Sequence, residues 1–154
     1  MKYKLVAEGT AYRLVALKDF AGVLNGDLGG LVEGEHNLSQ EGSCWIFGEA
    51  KVFGEAKVSG KAKVFGKAKI FGKAWVSGDA EVSGEARVSG KAQVFREAKV
   101  SGKAKVSGKA KVFGEAKVFE DTRVSGDARV FGEAKVYEEA WVFGKAWEIG
   151  RAHV

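Results

Sequence analysis

Gly48-Glu49-Ala50-Lys51-Val52-Phe53 is the phrase on which the reading of the fold turns. With small changes it recurs from residue 42 to the end of the 154-residue chain. Eighteen complete hexads fill residues 42–149 without insertion or deletion, and residues 150–154 begin another. Slot one is nearly always Gly, slot three Ala, and slot five Val or Ile. Slot two is charged apart from Ser43, slot four is mostly Lys or Arg, and slot six is Phe or Ser in irregular order. In Ala50-Lys51-Val52 two small apolar residues flank a long polar one. That alternation marks a short strand with one dry and one wet face. A helix fits poorly, because its Gly content would cost roughly 1 kcal/mol per unit. Six residues therefore make one strand and one corner, and Gly gives the corner its left-handed backbone.

A strand this short cannot bury its own Ala and Val, so successive units must stack as a solenoid. Slot six shows how many units close one coil. Compared as bulky apolar or Ser, residues 18 apart agree in 10 of 15 pairs, while those 12 apart agree in only 6 of 16. Three strands per coil is the better fit, which predicts a triangular prism of six coils rising by about 4.8 Å each.

The hexads resemble those of left-handed parallel β-helix proteins, which turn an aliphatic residue inward and place a small residue two positions earlier. The preceding segment carries Tyr12-Arg13-Leu14, Ala16-Leu17-Lys18-Asp19-Phe20, Gly26-Asp27-Leu28-Gly29-Gly30-Leu31-Val32-Glu33 and Asn37-Leu38-Ser39-Gln40-Glu41-Gly42. It looks like the YdcK-like family of bacterial and phage hexapeptide-repeat proteins. The resemblance covers nearly the whole chain and implies the left-handed sense; it brings a shape and no settled activity. The expected fold is thus all-β: a three-sided left-handed parallel β-helix over residues 42–154, with a small β cap over residues 1–41, as one folding unit.

Within the cap, Tyr3 to Ala7 and Ala11 to Leu17 read as strands joined at Glu8-Gly9-Thr10. Leu5, Val6, Leu14, Val15, Leu17, Phe20, Leu28 and Leu31 are candidates to cover the first coil, whose open edge would otherwise invite pairing. The chain has no run of about 18 apolar residues and no secretory apolar core near Met1, so no membrane span and a cytoplasmic location are expected. One cysteine, Cys44, excludes an internal disulfide framework; it stands in an Ala slot and reads as a small buried residue. Asn37-Leu38-Ser39 matches the glycosylation pattern by chance on this reading.

Charge is unevenly divided. Residues 1–41 carry four basic and six acidic groups, a net of −2, whereas residues 42–154 carry 21 basic and 14 acidic, a net of +7. An 18-residue coil sorts slot four into columns. Lys51, Lys69, Arg87, Lys105 and Arg123 lead to Trp141; Lys57, Trp75, Gln93, Lys111 and Arg129 lead to Trp147; Lys63, Glu81, Lys99, Lys117 and Lys135 lead to His153. Lys51, Lys69, Arg87, Lys105 and Arg123, with Lys99, Lys117 and Lys135, are the candidates for holding a linear polyanion, a phosphate or acidic-sugar polymer. The bland alternative is a solvated face. At one corner Glu49, Lys67, Glu85, Lys103 and Asp121 alternate in sign, which supports the register.

Glu120, Asp121, Glu138 and Glu139 fall on one corner of adjacent coils and form a weak candidate Ca²⁺ site, with Lys117 and Lys135 as competing partners. No cofactor is implied. Acyltransferases of hexapeptide-repeat type use a His near a subunit boundary and a loop extruded over the site. Here no loop breaks the repeat, and the histidines are His36 and His153 alone. The expectation is a non-enzymatic structural or binding rod, with an acyltransferase-like homo-oligomer as the catalytic alternative. The slot-six Phe residues are expected to stack along corners, pointing in or out. Trp141, Trp147 and Ile149 gather in the last hexads. They shield the C-terminal end or dock it on another molecule, so homo-oligomerisation through a face or that end stays open.

Overall fold

The computed structural model describes residues 1–149; residues 150–154, with His153, lie outside the described residues. The described chain has no α-helix, one 3-10 turn at Glu35–Asn37, and three sheets that form the sides of a prism. One strand from each hexad goes to each side in turn. The first side runs from Lys51–Val52 to Trp141–Val142, the second from Lys57–Val58 to Trp147–Ile149, and the third from Trp45–Ile46 to Lys135–Val136. Neighbours within a side are parallel and 18 residues apart, as in Arg87↔Lys105 and Val88↔Val106. The chain is a three-sided parallel β-solenoid, with the coil length that slot six anticipates.

The hydrogen bonding explains why every slot has its residue. N–H groups of slots two, four and six donate to carbonyls of slots one, three and five on the next coil. Glu85 reaches Gly102 at 2.7 Å, Arg87 reaches Ala104 at 2.9 Å, and Ser89 reaches Val106 at 2.9 Å. Inside, Ala98, Val100, Ala104 and Val106 are typical of the axis at 0 % exposure. Burying one such Val contributes roughly 1.5 kcal/mol or more. The corner needs Gly twice over. Gly108 has φ +67, and a Cβ there would lie 2.7 Å from the Gly126 nitrogen on the next coil. Arg96, Glu120 and Glu138 hold the same positive φ with a side chain, at a cost of about 1–2 kcal/mol each.

The winding begins before the repeat. Strand β1 (Tyr3–Glu8) and strand β2 (Ala11–Ala16) form an antiparallel hairpin, and β2 pairs with β3 (Leu28–Val32). Strand β3 then runs parallel to Lys51–Val52, and Leu38 forms a parallel bridge with Val58. Residues from Leu28 onward thus trace a first, irregular coil. Its backbones approach closely: a Cβ on Gly30 would meet the Ala50 carbonyl at 2.4 Å. Asn37, buried, brackets this coil to the next; its amide accepts from Glu33 and Gly34 and donates to Gly54 and Ala56.

The hairpin extends the first side, so its strands alternate between a dry and a wet face. Leu14 is buried and Leu5 and Phe20 are partly so, but Val6, Leu17 and Leu28 are exposed, contrary to expectation. The end is closed instead by Tyr3, Trp45 and Lys2. Trp45, in an outward slot, is buried beneath the edges of Tyr3 and Phe20 at centroid distances of 6.3 and 5.4 Å. Tyr3 donates its hydroxyl to the Leu38 carbonyl, and burial raises its pKa. The Lys2 ammonium donates to the carbonyls of Cys44 at 2.8 Å and Glu41 at 3.3 Å. Burial lowers its pKa, and the adjacent Cys44 opposes that shift.

Candidate polyanion-binding face

Parallel pairing at a constant offset puts slot-four residues of successive coils directly above one another. On the first side, Lys51, Lys69, Arg87, Lys105 and Arg123 are consecutive neighbours, followed by Trp141. Lys69 is half-buried and the other four cations are exposed. This is the longest unbroken cationic column among the described residues. On the second side Lys57, Trp75, Gln93, Lys111, Arg129 and Trp147 are neighbours, so cations are interrupted. The third side brings Lys99, Lys117 and Lys135 together beyond Glu81.

What the column reading alone misses is how each corner changes its side. After the first side, Ser89, Ser107 and Ser125 hold slot six in three successive coils, and Lys91 and Lys109 follow two residues later. The result is two complete rungs, Arg87–Ser89–Lys91 and Lys105–Ser107–Lys109, with Lys69 and Lys73 around Phe71 below them. Lys105, Ser107, Arg123, Ser125, Trp141 and Phe143 line one open groove along this side. The Arg123 guanidinium lies over the Trp141 ring, 5.0 Å from its centroid.

The corner after the second side is of another kind. Phe95, Phe113 and Phe131 stack there, half-buried, with Glu97, Glu115 and Glu133 two residues on. Those carboxylates share a groove with Lys99, Lys117 and Lys135, and Lys99 also lies 4.0 Å from Glu81. The third-side cations are therefore faced by anions of their own chain. The slot-two signal for this was present in the sequence, because Asp79, Glu97, Glu115 and Glu133 are 18 apart.

The structure brings the four carboxylates of the candidate Ca²⁺ corner to one place. Glu120, Asp121, Glu138 and Glu139 line one shallow depression. Yet no group of three or more His, Cys, Asp or Glu side chains among the described residues is disposed to hold a metal ion. The Glu120 carboxylate instead accepts the Glu138 backbone N–H at 2.7 Å. His36 is also occupied structurally, with Nε2 2.7 Å from the Gly54 carbonyl oxygen. Among the described residues no helix is long and apolar enough to cross a membrane. No protein-family model matches the chain, and a search of the curated proteins finds no match to it.

Proposed function

We propose that this protein is a rigid, non-enzymatic solenoid that binds a linear polyanion along its first side. The single observation that carries the reading is the run of five aligned cations, Lys51 to Arg123, on a frame that fixes their spacing. Two unit charges 4 Å apart repel by about 1 kcal/mol in water, so the column is electrostatically loaded before any ligand arrives. A polyanion laid along it relieves that repulsion and releases counterions. Because the backbone is held by the ladder, little ordering of the main chain opposes binding.

The test is retention on, and titration with, soluble polyanions at low and high salt. Affinity should fall steeply and linearly in logarithmic terms as salt rises, with a slope set by the number of cations engaged. A Lys69→Ala/Arg87→Ala/Lys105→Ala variant should bind at least tenfold more weakly without loss of thermal stability, because it relieves repulsion within the column. A protein that ignores every polyanion at low salt would remove the reading.

A further inference from the structure

We infer that the ligand of the first side is an acidic polysaccharide bearing one carboxylate per sugar residue, seated at the corner that follows Ser89, Ser107 and Ser125. The inference rests on the polyanion reading and narrows it. Its starting point is a contact the protein makes with itself: the Glu120 carboxylate accepts the N–H of the slot-one residue one coil on, Glu138, at 2.7 Å. A slot-one N–H is thus a donor that a carboxylate oxygen can reach from the surface.

At the corner after the first side the same position is Gly in all six coils, from Gly54 to Gly144. Among the described residues, the N–H groups of Gly90, Gly108 and Gly126 have neither a backbone nor a side-chain acceptor. Gly90 and Gly108 are exposed, and each lies between a Ser and a Lys. Two successive coils therefore present a bare N–H, a hydroxyl and cations in slots four and two, which is the donor set a carboxylate and neighbouring sugar hydroxyls require, while in the next coil Asp127 follows Gly126.

Spacing selects the polymer. The rungs repeat at about 4.8 Å. Phosphates on one strand of duplex DNA advance by about 3.4 Å. Same-face side chains of an extended peptide advance by about 6.8 Å, two residues of a strand. A pyranose residue in an extended chain advances by a distance between those two. Single-stranded nucleic acid also calls for an aromatic platform under each base, and three successive rungs here carry Ser instead. Trp141 and Phe143, exposed at the end of the groove, offer flat apolar surfaces of the kind sugar rings lie on.

The experiment titrates the protein, at equal charge concentration, with a 1,4-linked oligouronate, its methyl ester, inorganic polyphosphate and a single-stranded oligonucleotide. Backbone amide spectra report on Gly90 and Gly108. Expected are oligouronate binding at least tenfold tighter than either phosphate polymer, shifts of the Gly90 and Gly108 amides, and no binding of the ester. Lys109→Ala should weaken oligouronate binding several-fold. Gly90→Glu, which places a carboxylate on the Gly108 N–H as Glu120 does on Glu138, should abolish the Gly108 shift. Equal or tighter binding of polyphosphate or the oligonucleotide, or oligouronate binding without those amide shifts, overturns the inference while the polyanion reading stands. Silence toward all the charged polymers overturns both.

Discussion

Two corners of one prism, built from the same hexad on the same backbone, have become different materials. After the second side, Phe95, Phe113 and Phe131 stack with centroids 4.9 Å apart and planes within 5° of parallel. That separation is the interstrand spacing itself. Each stacked pair contributes about 0.5–1.5 kcal/mol beyond its area burial, and the acids that follow balance neighbouring lysines. After the first side the same slots hold Ser89, Ser107 and Ser125, the first two flanked by cations and the third by Arg123 and Asp127. Those three coils forgo the stacking that Phe53 and Phe71 keep earlier on the same corner, with centroids 5.2 Å apart, and the first two of them concentrate like charge. Slots one, three and five build the solenoid, while slots two, four and six are free to divide it into ring-stacked and charged edges.

The largest break in this contrast is Phe113→Ala, which removes both stacked contacts at once. A half-buried ring loses less than a fully buried one, so the expected cost is about 2–3 kcal/mol, against about 3–5 for full burial. Ser107→Ala on the other corner should stay within about 0.5 kcal/mol. Equilibrium denaturation of the two variants checks the difference directly. Equal costs would mean that the rings are ornaments of the surface.

Next in size is Gly108→Ala, with an expected loss of about 2 kcal/mol, since the αL backbone alone costs an L-residue about 1–2 kcal/mol. The added Cβ would also lie 2.7 Å from Gly126 N. The phenylalanine corner already tolerates Arg96 at φ +59. Arg96→Gly should therefore stabilise by up to about 1 kcal/mol, and thermal melts of the pair would show opposite signs. A smaller effect should come from converting one corner into the other. Ser89→Phe/Ser107→Phe/Ser125→Phe builds a second ring stack, with an expected gain of about 1–2 kcal/mol. It should also fill the groove and abolish polyanion binding. Retained binding in that variant would move the site away from the serine rungs.

The prism was legible because its determinants are local and repeated eighteen times: Gly for the corner, Ala and Val for the axis, an 18-residue recurrence in slot six. Those same rules placed Lys51 above Lys69 and Glu120 above Glu138 without any coordinates. The cap was harder, because nothing in it repeats. Trp45 occupies a slot that elsewhere holds Lys, and only the fold of Met1–Phe20 over it shows that it is buried. Nothing in the sequence singles out Lys2, yet its ammonium closes the first coil. The serine corner was half legible. Slot-four columns are visible along one strand position, whereas a rung such as Arg87–Ser89–Lys91 crosses from one hexad into the next. Hexad-by-hexad comparison cuts that rung in two.

Thr122 gives the finest comparison, because it lies in the coil that carries Arg123 and Ser125, where the phenylalanine corner's matching coil has Ala128. Both sites are buried at 0 % exposure, but the Thr122 Oγ1 has no hydrogen-bond partner. An unsatisfied buried hydroxyl costs about 1–3 kcal/mol, partly offset by the extra methyl that Thr packs. Thr122→Ala should therefore stabilise the protein by about 1 kcal/mol, and Ala128→Thr should destabilise it by at least as much. If Thr122→Ala instead lowers stability, its methyl group fills space that Ala leaves empty. The two corners would then differ in core packing as well as in surface chemistry.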